Sequence, residues 1–252
     1  MPHLSELREK FKDRDLTVVA ITTADDSNPA ASIKNFVEAR SADLSIDFAM
    51  CESDVMNQAY MVAANQQAIP CSFVIDQTGN LAYIGLPGDL DIVLEKLYNG
   101  TWKGQRSIVE LKAIESRIAK LTELLESDAE KALAELAAIE KQHPHVVTMR
   151  QYILVKLSGL VQVGTEDELK TYFSDLVLRL EKSKDAMQLA TIGGLVISPD
   201  LNPRQIMTAE AEAAIEKSLA IDPADVNNKV TAAFAYATGR KLDKANALMD
   251  RA

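Results

Sequence analysis

Along the first hundred residues, short β-branched apolar runs alternate with stripes of helical spacing. Leu16-Thr17-Val18-Val19-Ala20-Ile21-Thr22 is a continuous run of the kind that expects sheet neighbours on both sides, so it predicts a buried strand. Thr22 to Pro29 reads as a loop with helix-start chemistry, which leads into a predicted helix over Ala30–Arg40 with Ile33, Phe36 and Val37 on one face. Ile46 to Met50 predicts a second strand, with Cys51 at its end. A second helix is expected from Asp54 to about Asn65, carrying Val55, Met56, Tyr60 and Val62. In Ala68-Ile69-Pro70 a β-branched residue before proline is held extended, and an X-Pro bond is the only setting where a cis peptide is cheap. Ser72–Ile75 and Leu81–Gly85 then flank the turn residues Asp76 to Asn80, which predicts an antiparallel hairpin. Leu90–Tyr98 is the last helix of this stretch, closed by Asn99-Gly100 in the manner of a C-cap glycine. Trp102, just beyond it, is read as a packing residue.

From Gln105 onward the composition shifts to Ala, Leu, Glu and Lys. Ile108, Leu111, Ile114, Ile118, Leu121, Leu124 and Leu125 recur every three or four residues, which predicts a long amphipathic helix over Arg106–Glu126. Three heptads are short for a coiled coil, so this stripe is read as core packing in a helix linking two domains. Two later segments, Ala132 to Pro144 and Ala211 to Pro223, each end a helix at proline with small residues early on the packing face. After the second, Val226–Thr238 predicts a helix, Gly239 a turn and Leu242–Arg251 a further helix holding Ala245. Ala214, Ala233 and Ala245 are expected near helix crossings.

The chain has 252 residues, 47% hydrophobic and 25% charged, enough for two cores. Its net charge of -10 and pI near 4.9 argue against nucleic acid as a partner, because that affinity rests on Lys and Arg neutralising phosphates. No window approaches the roughly 20 apolar residues of a membrane span, and no charged-then-apolar signal segment opens the chain. Cys51 and Cys71 form neither a disulfide framework nor a metal-binding spacing, so they are read as unpaired thiols, and no metal or other cofactor is expected. His143-Pro144-His145 is read as an inter-helix loop, and His3 has no ligand pattern around it. Gly193-Gly194 is read as a helix kink or end rather than a phosphate loop, and Asp25-Asp26 as loop and cap residues.

Ile69-Pro70-Cys71-Ser72-Phe73-Val74-Ile75-Asp76-Gln77-Thr78-Gly79 resembles the I-P-T-x-F-x-I-D-x-x-G segment of the thioredoxin superfamily, in particular its TlpA/ResA-like thiol-disulfide reductases. The resemblance covers about residues 1–102. It implies a cis-proline beside the active site. Pro70 would shape a substrate groove, Ile69 would offer its backbone to a bound extended polypeptide, and Cys71, where the family usually has Thr, would border that groove. In the family a strand and W-C-x-x-C precede a helix reading M-P-x-L-x-x-L-x-x-x-F, and this chain opens Met1-Pro2-His3-Leu4-Ser5-Glu6-Leu7-Arg8-Glu9-Lys10-Phe11. The expectation is an α/β thioredoxin-like domain, N-terminally truncated within its catalytic helix, with a central sheet position left empty. No residue here can take the attacking or resolving role of a C-x-x-C pair, so the catalytic set is empty. The helical half is similar to tetratricopeptide repeats, closely in the final repeat and loosely over Val146–Pro199. Its end shows no polar capping helix, so the expectation there is a clipped terminus or a capping partner.

The organisation expected is therefore a thioredoxin-like domain over residues 1–102, a linker helix over 103–127 and an all-α tetratricopeptide-like domain over 128–252. Two functions follow from the resemblance. One is a bacterial thiol-disulfide oxidoreductase-like protein acting on protein disulfides, presented by helical repeats, in a form without its catalytic motif. The other is a non-catalytic protein-interaction module built on a degenerate thioredoxin domain. The family usually works in the cell envelope or periplasm, with the cytoplasm as the alternative.

Overall fold

The computed structural model describes residues 2–26, 28–41, 44–51 and 53–250, arranged as two compact units, Met1–Val109 and Glu110–Ala252. Met1, Ser27 of the Thr22–Pro29 loop and Arg251 of the last predicted helix lie outside the described residues.

In the first unit, helix α1 (Pro2–Lys10) leads through a 3-10 turn to strand β1 (Val19–Thr23), helix α2 (Ala30–Arg40) and strand β2 (Asp47–Cys51). β1 and β2 pair in parallel, Val19 opposite Asp47 and Thr23 opposite Cys51. Strands β3 (Ser72–Ile75) and β4 (Leu81–Gly85) form the predicted antiparallel hairpin, followed by helix α3 (Leu90–Tyr98). The hairpin turn is built by Asp76, whose Oδ1 accepts hydrogen bonds from the backbone of Thr78 (2.8 Å) and Asn80 (3.0 Å). Gly79 supplies the positive φ (82°) that the reversal needs, and a register shift between Val74 and Ile75 absorbs the extra loop residue. Leu7 and Phe11 of the α1 end, Ile33 of α2, Ile46 before β2, and Ile92, Val93 and Leu94 of α3 are buried, and Phe11 stacks on Tyr98 at 4.9 Å.

Three expectations for this unit are corrected. The run from Leu16 joins the sheet as strand only from Val19, with Val18 O already accepting from Asp47 N, and β1 has a single ladder partner among the described residues. Val19 and Ile21, on one face by the two-residue period, stay about half exposed (46% and 48%), so the run is not buried on both sides. The predicted helix over Asp54–Asn65 is mainly a π-helical segment over Asn57–Val62 with no buried residue, and Val55 and Val62 are exposed. Met56, Tyr60, Met61 and Ala64 are part-covered and fall on one side at helical spacing, with Tyr60 edge-on to Phe73 at 5.2 Å, so the segment lies against its surroundings by one face without burying a residue. On α2, Phe36 is exposed although it meets the edge of Phe48.

The second unit is helical: α4 (Gln105–Ser127, beginning in the first unit), α5 (Ala129–Gln142), α6 (Arg150–Val163), α7 (Glu166–Lys182), α8 (Ala186–Ile197), α9 (Thr208–Ile221), α10 (Val226–Thr238) and α11 (Leu242–Met249). Leu111, Ile114, Ile118, Leu121 and Leu125 of the α4 stripe are buried. Starts are marked by side-chain caps: Asp128 accepts from Lys131 N, Asp185 from Gln188 N, and Thr165 and Glu168 form a reciprocal capping box. α8 is mostly apolar and buried along most of its length, with Gln188 and Thr191 on the side left part-exposed, which makes it the centre on which α9 and α10 pack. Gly193-Gly194 lies inside α8, not at its end. A Cβ on Gly193 would stand 2.7 Å from the Ala211 carbonyl oxygen, and one on Gly194 2.8 Å from Ala235 Cβ, so the pair lets α9 and α10 approach closely. Ala214, Ala233 and Ala245, the residues expected near helix crossings, are buried.

The loop between α8 and α9 is also tied down. Arg204 donates to the carbonyls of Leu160 (2.7 Å), Val161 (3.0 Å) and Gly164 (2.6 Å), which satisfies the open end of α6. The fully buried Asn202 donates from Nδ2 to the carbonyls of Val196 and Ile206. No helix of the described residues is long and apolar enough to cross a membrane.

Candidate functional site

The candidate site is the corner that enters β3. The Ile69–Pro70 bond is cis, as expected. Ile69 is 86% exposed and, among the described residues, engages in no backbone hydrogen bond, since the hairpin ladder starts at Ser72. Its N–H and C=O are therefore available to an incoming chain. Cys71 is half-buried beneath this corner, and burial pushes its thiol up, only partly offset by a hydrogen bond from the Gly85 backbone. A raised pKa keeps this thiol protonated near neutrality, which disfavours nucleophilic attack.

Behind Cys71, β4 supplies two residues of one face. Gly85 has no side chain, and a Cβ there would stand 2.1 Å from the Tyr83 hydroxyl, so glycine is the residue that leaves that hydroxyl its place. Tyr83 Oη donates to Asp89 Oδ2 at 2.5 Å in a buried pair, and the Trp102 ring meets Tyr83 edge-on at 6.2 Å. Trp102 is thus a packing residue, and its buried Nε1 has no hydrogen-bond partner among the described residues. One element away, His3 Nε2 of α1 lies 2.5 Å from Asp91 Oδ2 of α3.

Residues 1–84 match the model of the AhpC/TSA family. This redoxin, thioredoxin-like match runs from α1 to Ile84 of β4 and so contains Ile69, Pro70 and Cys71. No curated protein and no solved structure matches the chain. Over the remaining residues the chain is mostly helical, which fits helical repeats.

Of the predicted groove residues, Ile69, Pro70 and Cys71 are contiguous at the start of β3. Cys51 sits at the end of β2, on the other sheet from the β3–β4 hairpin, and both thiols are free. Among the described residues no group of three His, Cys, Asp or Glu side chains could hold a metal ion. Sequence reasoning missed the support formed by Tyr83, Gly85 and Asp89. The period-two alternation of β4 places Tyr83 and Gly85 on one face, and that signal was present. Nothing local pairs His3 with Asp91. Asp25 takes its expected loop role, accepting from Asn28 N at 2.8 Å.

Proposed function

We propose that this chain is a redoxin-type protein of thiol-disulfide oxidoreductase ancestry that binds extended polypeptide at the Ile69–Pro70–Cys71 corner, with a tetratricopeptide-like helical module attached. The observation that carries this reading is the exposed backbone of Ile69, without a hydrogen bond among the described residues, inside the segment that matches the AhpC/TSA model. An extended chain pairing there would gain main-chain hydrogen bonds that do not depend on its sequence. Within these 252 residues the role is binding rather than turnover. Reduction of a disulfide needs a thiolate to attack and form a mixed disulfide, and a second thiol to displace the product. Cys71 is held as a thiol, and Cys51 is on another sheet.

A second reading, a full thiol-disulfide oxidoreductase, is favoured by the open edges of β1 and β3, each of which has one ladder partner among the described residues. A further strand bearing C-x-x-C would pair with such an edge. The insulin turbidity assay with a small dithiol separates the two readings. The 252-residue chain is expected to match the no-protein control, and a form carrying an additional strand and C-x-x-C ahead of α1 is expected to speed precipitation only if the second reading is correct. Acceleration by the 252-residue chain that is lost in Cys71→Ser would overturn the binding-only role.

A further inference from the structure

The chain around the Ile69 corner is almost without charge. From Val55 to Gly88 the sequence holds one charged side chain, Asp76, although 25% of the whole chain is charged. The Asp76 carboxylate is committed to the hairpin turn, accepting from Thr78 and Asn80. Burial does not account for this neutrality. Ala186–Ile197 is also uncharged, but it forms the buried helix α8, whereas from Val55 to Gly88 only Tyr83 is buried. Apolar side chains stand more than half exposed at both ends of β3: Ile69 and Leu86 at the corner, and the Cα partners Ile75 and Leu81 at the turn. The π-helical segment adds Met61 and Tyr60, and the Tyr60–Phe73 contact brings it against the hairpin. The Cys71 thiol at the corner is shifted by burial and by the Gly85 backbone, not by a neighbouring charge.

Water-facing chain ordinarily carries Lys, Glu and Asp, and depletion of charge together with Met and aromatic residues is the composition of an interface centre. From this we infer that the extended polypeptide bound at Ile69 is itself apolar and uncharged, and that the hairpin and the π-helical segment select it by excluding charge. The inference rests on the proposed pairing of Ile69 with an extended chain, and adds what that chain is made of. The occupant is a strand because Ile69 N–H and C=O have no hydrogen bond among the described residues and β3 has one open edge among them. A charged residue of that strand, laid against this surface, would lose water and find no counter-charge, whichever its sign. The long-range field of a chain with net charge -10 would by itself favour a cationic peptide. Exclusion of both signs is therefore the mark of this surface and not of the overall charge.

Titration of the isotope-labelled full chain with end-blocked heptapeptides, read at the Ile69 and Cys71 amide resonances, tests this. One peptide alternates valine and glutamine, and two others carry glutamate or lysine in place of the central glutamine. The neutral peptide is expected to bind saturably, and both charged peptides about ten-fold more weakly or worse. Gln67→Lys, which adds a cation at an exposed position beside the corner, should bring the glutamate peptide back towards the neutral one and weaken the lysine peptide further, with an unchanged circular dichroism spectrum. A glutamate or lysine peptide that binds the unaltered chain as tightly as the neutral one overturns the selection, while leaving an extended chain paired at Ile69. If no peptide moves the Ile69 resonance, the pairing itself fails and the selection with it. An Ile69 resonance that shifts with protein concentration in the absence of peptide makes the occupant a second copy of the chain, which overturns the proposal as well.

Discussion

Replacing Gly193 or Gly194 by alanine gives a result whose sign depends on what the glycines do. In a helix interior with free space, Gly→Ala stabilises by about 1 kcal/mol through backbone entropy. At Gly193 the new Cβ would meet the Ala211 carbonyl oxygen and Ile215 Cγ1, both at 2.7 Å, and at Gly194 it would meet Ala235 Cβ at 2.8 Å and Cα at 3.0 Å. Apart from Ile215 Cγ1, these atoms are fixed to the helices α9 and α10, so relief requires moving a helix by several tenths of an ångström. Overpacking of this sort costs about 1–3 kcal/mol, and the contacts at 2.7–2.8 Å place both sites at the upper part of that range, so each variant should lose up to about 2 kcal/mol net of the propensity gain. Gly159 in α6 is the control. There the added Cβ would meet only the half-buried Leu133 side chain, at 2.6 Å from Cδ2, and that side chain can change rotamer. Gly159→Ala should therefore be neutral or slightly stabilising, leaving a gap of about 2 kcal/mol between the variants, or roughly 4–8 °C in Tm at this size. Urea and thermal unfolding followed by circular dichroism at 222 nm read the helical unit most strongly. If Gly193→Ala and Gly194→Ala stabilise as Gly159→Ala does, the close crossing of α8 with α9 and α10 is wrong.

Arg204→Ala removes the guanidinium donor from the Val161 and Gly164 carbonyls and from that of Leu160, which keeps Gly164 N, and should destabilise by about 1–3 kcal/mol in urea unfolding, with Arg204→Lys recovering only part because an ammonium cannot reproduce the guanidinium fork. His3→Ala leaves the buried Asp91 carboxylate without its α1 partner and should cost about 1–3 kcal/mol, read as earlier loss of the first unit's near-ultraviolet signal. The Asp76 carboxyl is held below its usual range by hydrogen bonds from Thr78 and Asn80. A depressed folded pKa contributes stability present above the unfolded value and lost as pH falls through the folded one, so the hairpin's amide protection, measured relative to the intrinsic exchange rate at each pH, should fall in acid below about pH 4 and stay level between pH 5 and 8. Because the Cys71 thiol is pushed up, its alkylation by iodoacetamide should be slower at pH 7 than that of an exposed cysteine peptide and should keep rising above pH 9; equal rates at pH 7 would contradict the burial argument.

Most of the fold was legible where one period dominated. The β3–β4 hairpin could be read from two alternating runs around Asp76 to Asn80, and α2, α3 and α10 match their predicted limits because stripe and terminating residues agree. In the segment Asp54–Asn65 the covered residues keep a helical spacing, but nothing in that spacing distinguishes a π-helical turn from an α-helical one, and Val19 and Ile21 failed because a β-branched run specifies a strand but not what covers it. Gly193-Gly194 was misread because a glycine pair inside a helix looks the same whether it breaks the helix or admits a neighbour, and only the positions of Ala211 and Ala235 distinguish them. At the candidate site, Ile69, Pro70 and Cys71 stood out as contiguous residues. The Tyr83–Asp89 pair behind Cys71 and the His3–Asp91 pair join separate elements, which no local pattern encodes.

The role proposed for the Ile69–Cys71 corner is tested most directly by titrating the isotope-labelled 252-residue chain with reduced, carboxymethylated insulin B chain and following backbone amide resonances. The probe is extended and has no disulfide, so binding is separated from redox chemistry. Saturable shifts at Ile69, Cys71 and Ser72, weakened when Ile69 is replaced by proline to remove its N–H, are the predicted result. Shifts confined to the helical unit, or none at any concentration, would contradict the account.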